Sequence, residues 1–394
     1  MKTILLLFFS FSAFSQIYII SGVIKDSTQK PVPMVNVFVK NGEGTVTNDD
    51  GEFVLRVTKI PTQIVISHIS YRAITLTADS NKPLSLTLKE NITALPEAKV
   101  GNYAFELLKK AIEKTNADSI YNHFGRGFYR RIQTEGEKYT VLQEIFFNSG
   151  VDGKYGISSW QPTASRYTFH DGNVEQKNIV YTTLGNSAPS PRIRFRTDQN
   201  IIPVNVITKS YNIEIENFIN PDTKNEIAIV LCTPKENGDN KFTGRFYIKT
   251  ATNGVLRVVG RMIRPKKVWP SGFWFKVKET YMDMDISYQE DVNGAMMLLG
   301  MDIDFVVMVQ YASSVNRKVL DHIILVMYEY DKLINGEQSA LTEKSAPEDQ
   351  IFATTQASPE FWANNPIIKR TQLEDKIIKI FEGRKKKGGN MFSK

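Results

Sequence analysis

Four histidines, His68, His123, His170 and His322, are the side chains of this chain best suited to holding a metal or moving a proton near neutral pH. None has a Glu three positions on and none begins a His-Glu-x-x-His run, so the ligand spacing of a zinc peptidase is missing. His322 alternates with Leu320 and Ile324, which reads as a packed or hydrogen-bonded strand residue. Two carboxylate pairs remain, Asp283 with Asp285 and Asp302 with Asp304. Each pair lies at i and i+2, so on a strand its members share a face, about 7 Å apart. That separation suits the two carboxylates of an inverting glycoside hydrolase, but a solvated strand face carries the same spacing.

Other motifs fail on inspection. Gly185-Asn186-Ser187-Ala188-Pro189 lacks the last Gly of a nucleophile elbow. Gly42-Glu43-Gly44 lacks the third Gly of a dinucleotide loop and lies between strands. Asn48-Asp49-Asp50-Gly51 would put Val46 at the first position of a calcium loop, so it reads as a hairpin turn. Cys232, the single cysteine, has apolar neighbours and reads as a buried strand residue. Neither a metal nor a cofactor is expected.

The elements that would position these residues are mostly strands. Met301, Ile303, Phe305, Val307 and Val309 alternate with Asp302 and Asp304, and residues 319–330 pair back after a turn at 313–316. The apolar face 301–309 is the candidate lining for a lipid or other apolar ligand. Phe128–Ile132 with Lys138–Phe147 form an expected first strand pair, and Asn253-Gly254 marks a hairpin. Residues 150–200 read as long loops with short strands. A helix is expected at 103–115, with Asn102 as its cap and Ala104, Leu107, Leu108, Ala111 and Ile112 as one apolar stripe. A second is expected at 371–382, opened by the Thr371/Glu374 capping box and carrying Leu373, Ile377, Ile380 and Phe381 on one side.

The front of the chain is the most regular part. Val35, Val37 and Val39, then Phe53, Leu55 and Val57, then Leu84, Leu86 and Leu88 each recur at a period of two between turns. Residues Gly22 to Asp26, Pro31 to Lys40, Gly44 to Phe53 and the apolar strand ending in Tyr71 resemble the carboxypeptidase-like regulatory domain. The resemblance implies a seven-stranded, transthyretin-like β-sandwich, common in exported Bacteroidetes proteins; within 16–88 the only histidine is His68 and Asp49-Asp50-Gly51 reads as a turn, so no catalytic role is expected of this stretch. Helix 103–115, Phe128-Tyr129-Arg130 and the stretch Phe361 to Thr371 together resemble a group of Bacteroidetes envelope proteins of unassigned function.

Composition narrows the function classes. The chain has 394 residues, 42% hydrophobic and 23% charged, with a formal net charge of +7. Basic residues are interleaved with acidic ones, and the short runs Arg264 to Lys267 and Arg384 to Lys387 read as solvated surface, so no nucleic-acid partner is expected. Lys2, the apolar run from Ile4 and small residues at Ala13 and Ser15 form an expected export segment over residues 1–15. No Cys lies near its end, so a lipoprotein anchor is not expected, and no later stretch is apolar enough for a transmembrane helix.

The expected order is therefore export segment 1–15, sandwich 16–90, linker 91–102, a helix plus large antiparallel β domain over 103–345, and a C-terminal segment 346–394 with a basic tail. The fold class is mainly β with packed helices (α+β). The leading functional reading is a non-enzymatic periplasmic or outer-membrane protein that binds a protein or polymer of the envelope. A carrier of an apolar ligand and a hydrolase using the paired aspartates are the alternatives.

Overall fold

The computed structural model describes residues 17–39, 44–93, 102–117, 122–152, 156–169, 207–238, 241–263, 275–311, 316–331, 333–341, 355, 357–365 and 367–383. The export segment, His170, the Gly185 motif and both basic runs lie outside the described residues.

The front is a seven-stranded sandwich of β1 (Tyr18–Lys25), β2 (Asn36–Val39), β3 (Gly44–Val46), β4 (Glu52–Val57), β5 (Thr62–His68), β6 (Tyr71–Ala78) and β7 (Leu84–Thr87). One sheet has the order β4-β1-β7 and the other β3-β2-β5-β6. The period-two residues supply the core: Ile20, Ile24, Val35, Val37, Phe53, Leu55, Ile64 and Ile66 are all buried. The turn at Asn48 to Gly51 forms, with Gly51 N–H donating to Asn48 O at 2.9 Å and Gly51 at φ +70°. It is not a hairpin turn. Thr47 Oγ1 donates to Val32 O at 2.7 Å and accepts from Val35 N–H at 2.9 Å, which ties the end of β3 to the 32–35 segment. The chain then crosses to the other sheet, where β4 pairs with β1.

The rest is one antiparallel sheet with the order β11-β10-β9-β18-β17-β16-β15-β14-β13-β12-β8. Its strands are β8 (Ile92–Thr93), β9 (Asn122–Glu135), β10 (Lys138–Asp152), β11 (Gly156–Phe169), β12 (Tyr211–Ile219), β13 (Ile227–Pro234), β14 (Lys241–Lys249), β15 (Gly254–Ile263), β16 (Phe275–Glu290), β17 (Met296–Tyr311) and β18 (Asn316–Tyr330). β8 comes from the stretch read as a linker and pairs with β12. The loop-like reading after residue 150 is corrected over 156–169, where β11 runs along β10 through two register shifts. Such bulges let a Ser- and Thr-rich strand with poor alternation stay paired, and Ile157 and Trp160 anchor it in the core.

Alternation divides this sheet into two faces. The inner face carries Tyr129, Ile145, Val230, Phe246, Val258, Ile286, Met301 and Leu325, and α1 (Tyr103–Ala117) packs on it through Leu107, Leu108, Ala111 and Ile112. The helix forms where the apolar stripe falls, and all five stripe residues are buried. The described residues also form four short helices, α2 (Ile207–Ser210), α3 (Asn335–Ser339), α4 (Pro359–Asn364) and α5 (Gln372–Gly383), and the outer face carries the sandwich with α4 and α5. α4 brings Trp362 and α5 brings Ile377 and Ile378 onto that face. The capping box of α5 closes in both directions: Thr371 N–H donates to Glu374 Oε2 at 2.6 Å and Glu374 N–H to Thr371 Oγ1 at 3.1 Å.

Candidate functional site: the junction of sandwich and sheet

Both carboxylate pairs lie on the outer face, and the strand register makes them neighbours. Asp283 sits opposite Asp304 and Asp285 opposite Asp302. Like charges facing across strands destabilise a sheet, so cations must flank them. Arg261 lies opposite Asp283 and His322 opposite Asp304, which gives a row Arg261, Asp283, Asp304, His322 across four strands. Arg261 Nε donates to Asp283 Oδ1 at 2.5 Å and Arg257 Nε to Asp285 Oδ1 at 2.7 Å. His322 Nδ1 lies 2.8 Å from Asp304 Oδ1 and 3.6 Å from Asp302 Oδ1.

One turn of the sandwich rests on this row and a second on the neighbouring Arg257. Asp49, from the Asn48 to Gly51 turn, places Oδ2 at 3.7 Å from His322 Nε2. Gly51 is needed there, because a Cβ would fall 2.3 Å from Ile24 O. Ser70, from the turn between β5 and β6, accepts from Arg257 Nη1 at 3.1 Å. A third attachment joins the sandwich to the C-terminal segment: Val46 bridges Ile368, Thr45 Oγ1 donates to Ile367 O at 2.5 Å, and Lys369 Nζ lies 2.8 Å from Glu52 Oε2. Apolar contacts fill the spaces between. Val46 and Met34 pack with Phe128, Phe146, Ile324 and Trp362, and Ile69 packs with Ile219, Ile229 and Tyr247. Gly300 lets Met34 approach, since a Cβ would lie 3.1 Å from Met34 Cε.

The charges answer to this setting. Burial pulls down the His322 pKa, but the carboxylates of Asp304, Asp302 and Asp49 outweigh it and raise it to about 10. Burial raises Asp302 to about 7, and the charges of Asp49 and Asp304 act in the same direction against that of His322. Burial also raises Asp49. Among the described residues no group of three or more His, Cys, Asp or Glu is arranged to hold a metal ion.

The sandwich does not cover the outer face completely. A cleft of about 1160 Å³ remains between the two units. The sandwich contributes Phe38, His68, Ile69, Tyr71, Arg72 and Ala73 to it, and the sheet contributes Leu256, Tyr288, Leu299, Tyr328 and Tyr330, among others. His68 accepts from Ser70 N–H through Nδ1 at 3.2 Å, and burial, with the nearby Arg257 charge, lowers its pKa to about 3. None of Asp283, Asp285, Asp302 or Asp304 lines the cleft.

The apolar ligand-facing candidates are placed elsewhere. Met301 and Ile303 are buried on the inner face in the cluster that includes α1. Phe305, Val307 and Val309 pack with Val319 and Val277. All five are contacted by protein side chains, and none lines the cleft. Cys232 is free and fully buried on the same face, with its thiol pKa pushed up by burial. His123 lies at the edge of β9, with Nε2 3.7 Å from Asp291 Oδ2.

Two features were not anticipated from the residues. One is the convergence of His322, Asp302, Asp304 and Asp49, although the pairing of 319–330 back onto 301–311 already carried the signal: antiparallel register alone sets Asp304 against His322. The other is a buried ionic network on β9, β10 and β11. Arg130 Nε donates to Glu144 Oε1 at 2.7 Å, Arg130 Nη1 to Glu374 Oε1 at 3.0 Å, and Arg166 pairs with Glu144 Oε2. The outward spacing of Arg130 and Glu144 on adjacent strands was the available clue.

Residues 20–100 match the model of the CarboxypepD_reg-like domain, and the sandwich is such a domain. No curated protein matches the chain. Among solved structures, MucB aligns over 58% of this chain and 94% of its own at 9% identity and a TM-score of 0.20. A LolA superfamily protein from Nitrosomonas europaea aligns over 63% and 96% at 9% identity and a TM-score of 0.22. An outer membrane lipoprotein-sorting protein domain from Vibrio parahaemolyticus aligns over 64% and 98% at 8% identity and a TM-score of 0.23. Likenesses this shallow carry no argument about function.

Proposed function

We propose that this chain is a non-enzymatic, exported envelope protein that binds a segment of a partner protein in the cleft between its regulatory-type sandwich and the outer face of its large sheet. The cleft itself carries the reading. Its volume of about 1160 Å³ lies just above the range of small-molecule pockets. Its lining of Phe38, Tyr71, Tyr288, Tyr328 and Tyr330 with Arg72 has the aromatic and Arg content of a protein interface. The non-enzymatic part rests on the chemistry of the walls. His68, the histidine that lines the cleft, is held neutral with a pKa of about 3, far from the value a general base needs near neutral pH. The aspartate row is turned to the sandwich as a mount and lies outside the cleft. Among the described residues no helix is long and apolar enough to cross a membrane. Export rests on the leading segment.

Ala73 has an exposed side chain inside the cleft, so Ala73→Trp should obstruct part of the cleft without touching either core. In pull-downs from native envelope extract, the tagged wild-type chain should retain a stoichiometric partner. Ala73→Trp should retain about tenfold less, a loss of about 1.4 kcal/mol, at an unchanged melting temperature. Equal recovery by both chains, or binding of a fluorescent fatty-acid probe that Ala73→Trp abolishes in place of any protein, contradicts the reading.

A further inference from the structure

A second cavity, separate from the cleft, lies where the C-terminal segment crosses β9, β10 and β11. It encloses about 180 Å³. Arg130, Arg166, Lys369 and Arg370 line it, against Glu144 and Asp375. Two of these cations also pair with carboxylates outside the lining, Arg130 with Glu374 and Lys369 with Glu52 at 2.8 Å, so the site is set by free donor edges and not by net charge.

The donors are unevenly used. Arg130 is fully engaged, with Nε on Glu144, Nη1 on Glu374 and Nη2 on Ile368 O at 3.2 Å. Arg166 directs both of its paired nitrogens, Nε and Nη2, to the one oxygen Oε2 of Glu144, and its guanidinium lies 4.4 Å from the centre of the Trp362 ring. Among the described residues, the Arg370 guanidinium makes one hydrogen bond, from Nε to Asp375 Oδ1 at 2.7 Å. Trp362 also lines the cavity. It is 6% exposed, and among the described residues its buried indole N–H has no acceptor. A buried polar group without a partner costs free energy that a bound acceptor restores. Guanidinium groups with free N–H edges around a small cavity are the arrangement that recognises a phosphate or carboxylate.

We propose that this cavity is a binding site for a single tetrahedral oxyanion, a phosphate group, held by Arg166, Arg370 and Lys369 and by the Trp362 indole N–H. The cavity is large enough to admit such a group. The site stands independently of the cleft, which it does not share residues with.

The test uses the full chain labelled with ¹⁵N. The Trp362 indole cross-peak is assigned by its loss in Trp362→Phe. Inorganic phosphate should move that peak along a saturable curve with a Kd below about 1 mM. Arg370→Ala removes a partly exposed side chain and frees only Asp375. It should weaken the titration at least about tenfold, with the melting temperature unchanged. Glycerol phosphate is titrated in parallel. A shift with both compounds supports a site that accepts a phosphate borne on a larger molecule, and a shift with inorganic phosphate alone supports a site for the free ion. No shift with either, a shift reproduced by sodium chloride at equal ionic strength, or an Arg370→Ala titration equal to wild type overturns the proposal.

Discussion

Glu144→Ala should destabilise the protein by roughly 3–5 kcal/mol, the largest single-residue effect expected outside the apolar cores. Glu144 is 1% exposed, and its two oxygens divide between Arg130 and Arg166, which are each 3% exposed. Removing it leaves Arg130 with Glu374 alone and Arg166 with no carboxylate, two cations out of water with half their compensation gone. The pH dependence follows from the same contacts. Burial would raise the Glu144 pKa, but the guanidinium groups of Arg166 and Arg130 overcome it and hold the carboxylate at about 2, below an ordinary value of 4.5. A depressed carboxylate contributes stability that is complete above 4.5 and is lost as pH falls towards 2. Urea unfolding followed by tryptophan fluorescence should therefore show a midpoint that falls below pH 4.5 in the wild type and much less in Glu144→Ala. An Ala variant within about 0.5 kcal/mol of wild type would show that the network is not holding the C-terminal segment to the sheet.

The second large effect concerns the mount. His322→Ala removes the one cation among Asp302, Asp304 and Asp49, and with it a charge-assisted bond of 2.8 Å to Asp304. A hydrogen bond to a charged group contributes about 1.5–3 kcal/mol. Here the loss should appear as looser docking of the sandwich, because one of the three carboxylates belongs to it. Hydrogen exchange in the Asn48 to Gly51 turn should rise by about one to two powers of ten. The pH dependence has the opposite sign to that of Glu144. A histidine raised from 6.5 to about 10 contributes stability that is complete below 6.5 and is lost as pH rises through 10. An aspartate raised from 3.8 to about 7 favours its protonated form in the fold, so its contribution is complete below 3.8 and is lost as pH rises from 3.8 through 7. Protection of the turn should fall between pH 6.5 and 10 in the wild type, whereas His322→Ala should lose the step near pH 10 and keep only the fall due to the buried Asp302, which the histidine no longer holds down. A pH-independent wild type would mean that the other two attachments, at Ser70 and at Ile367 to Lys369, hold the sandwich alone.

How far the residues revealed this depended on whether the contacts were local. Period two in Val35 to Val39 and Phe53 to Val57 is a local signal, and the sandwich it implied is present, with Val35, Val37, Phe53, Leu55 and Val57 buried in its core. The stripe Ala104 to Ile112 and the Thr371/Glu374 capping box are likewise local, and both formed. The turn at Asn48 was legible as a turn but not as a crossing between sheets, because the bonds that divert β4 come from Thr47 to Val32 and Val35, a dozen or more residues back. β11 was missed because its Ser- and Thr-rich strand is anchored by two inward residues and bent by bulges, so no period stands out. The Asp pairs were seen separately, as was His322. What joined them was register between three strands and a turn of another domain, a relation between distant stretches that no single window contains. The same holds for the cleft, whose walls come from β5 and β6 on one side and β16 to β18 on the other.

The central claim is that a partner occupies the cleft. Arg72 has an exposed side chain on the cleft wall, whereas Val292 is fully exposed on the turn between β16 and β17 and does not line the cleft. A photo-cross-linking amino acid is placed at one or the other position and irradiated in intact cells. Position 72 should give one discrete protein adduct and position 292 none. The absence of an adduct at 72, the same adducts at both positions, or an adduct at 72 made of lipid would contradict the account.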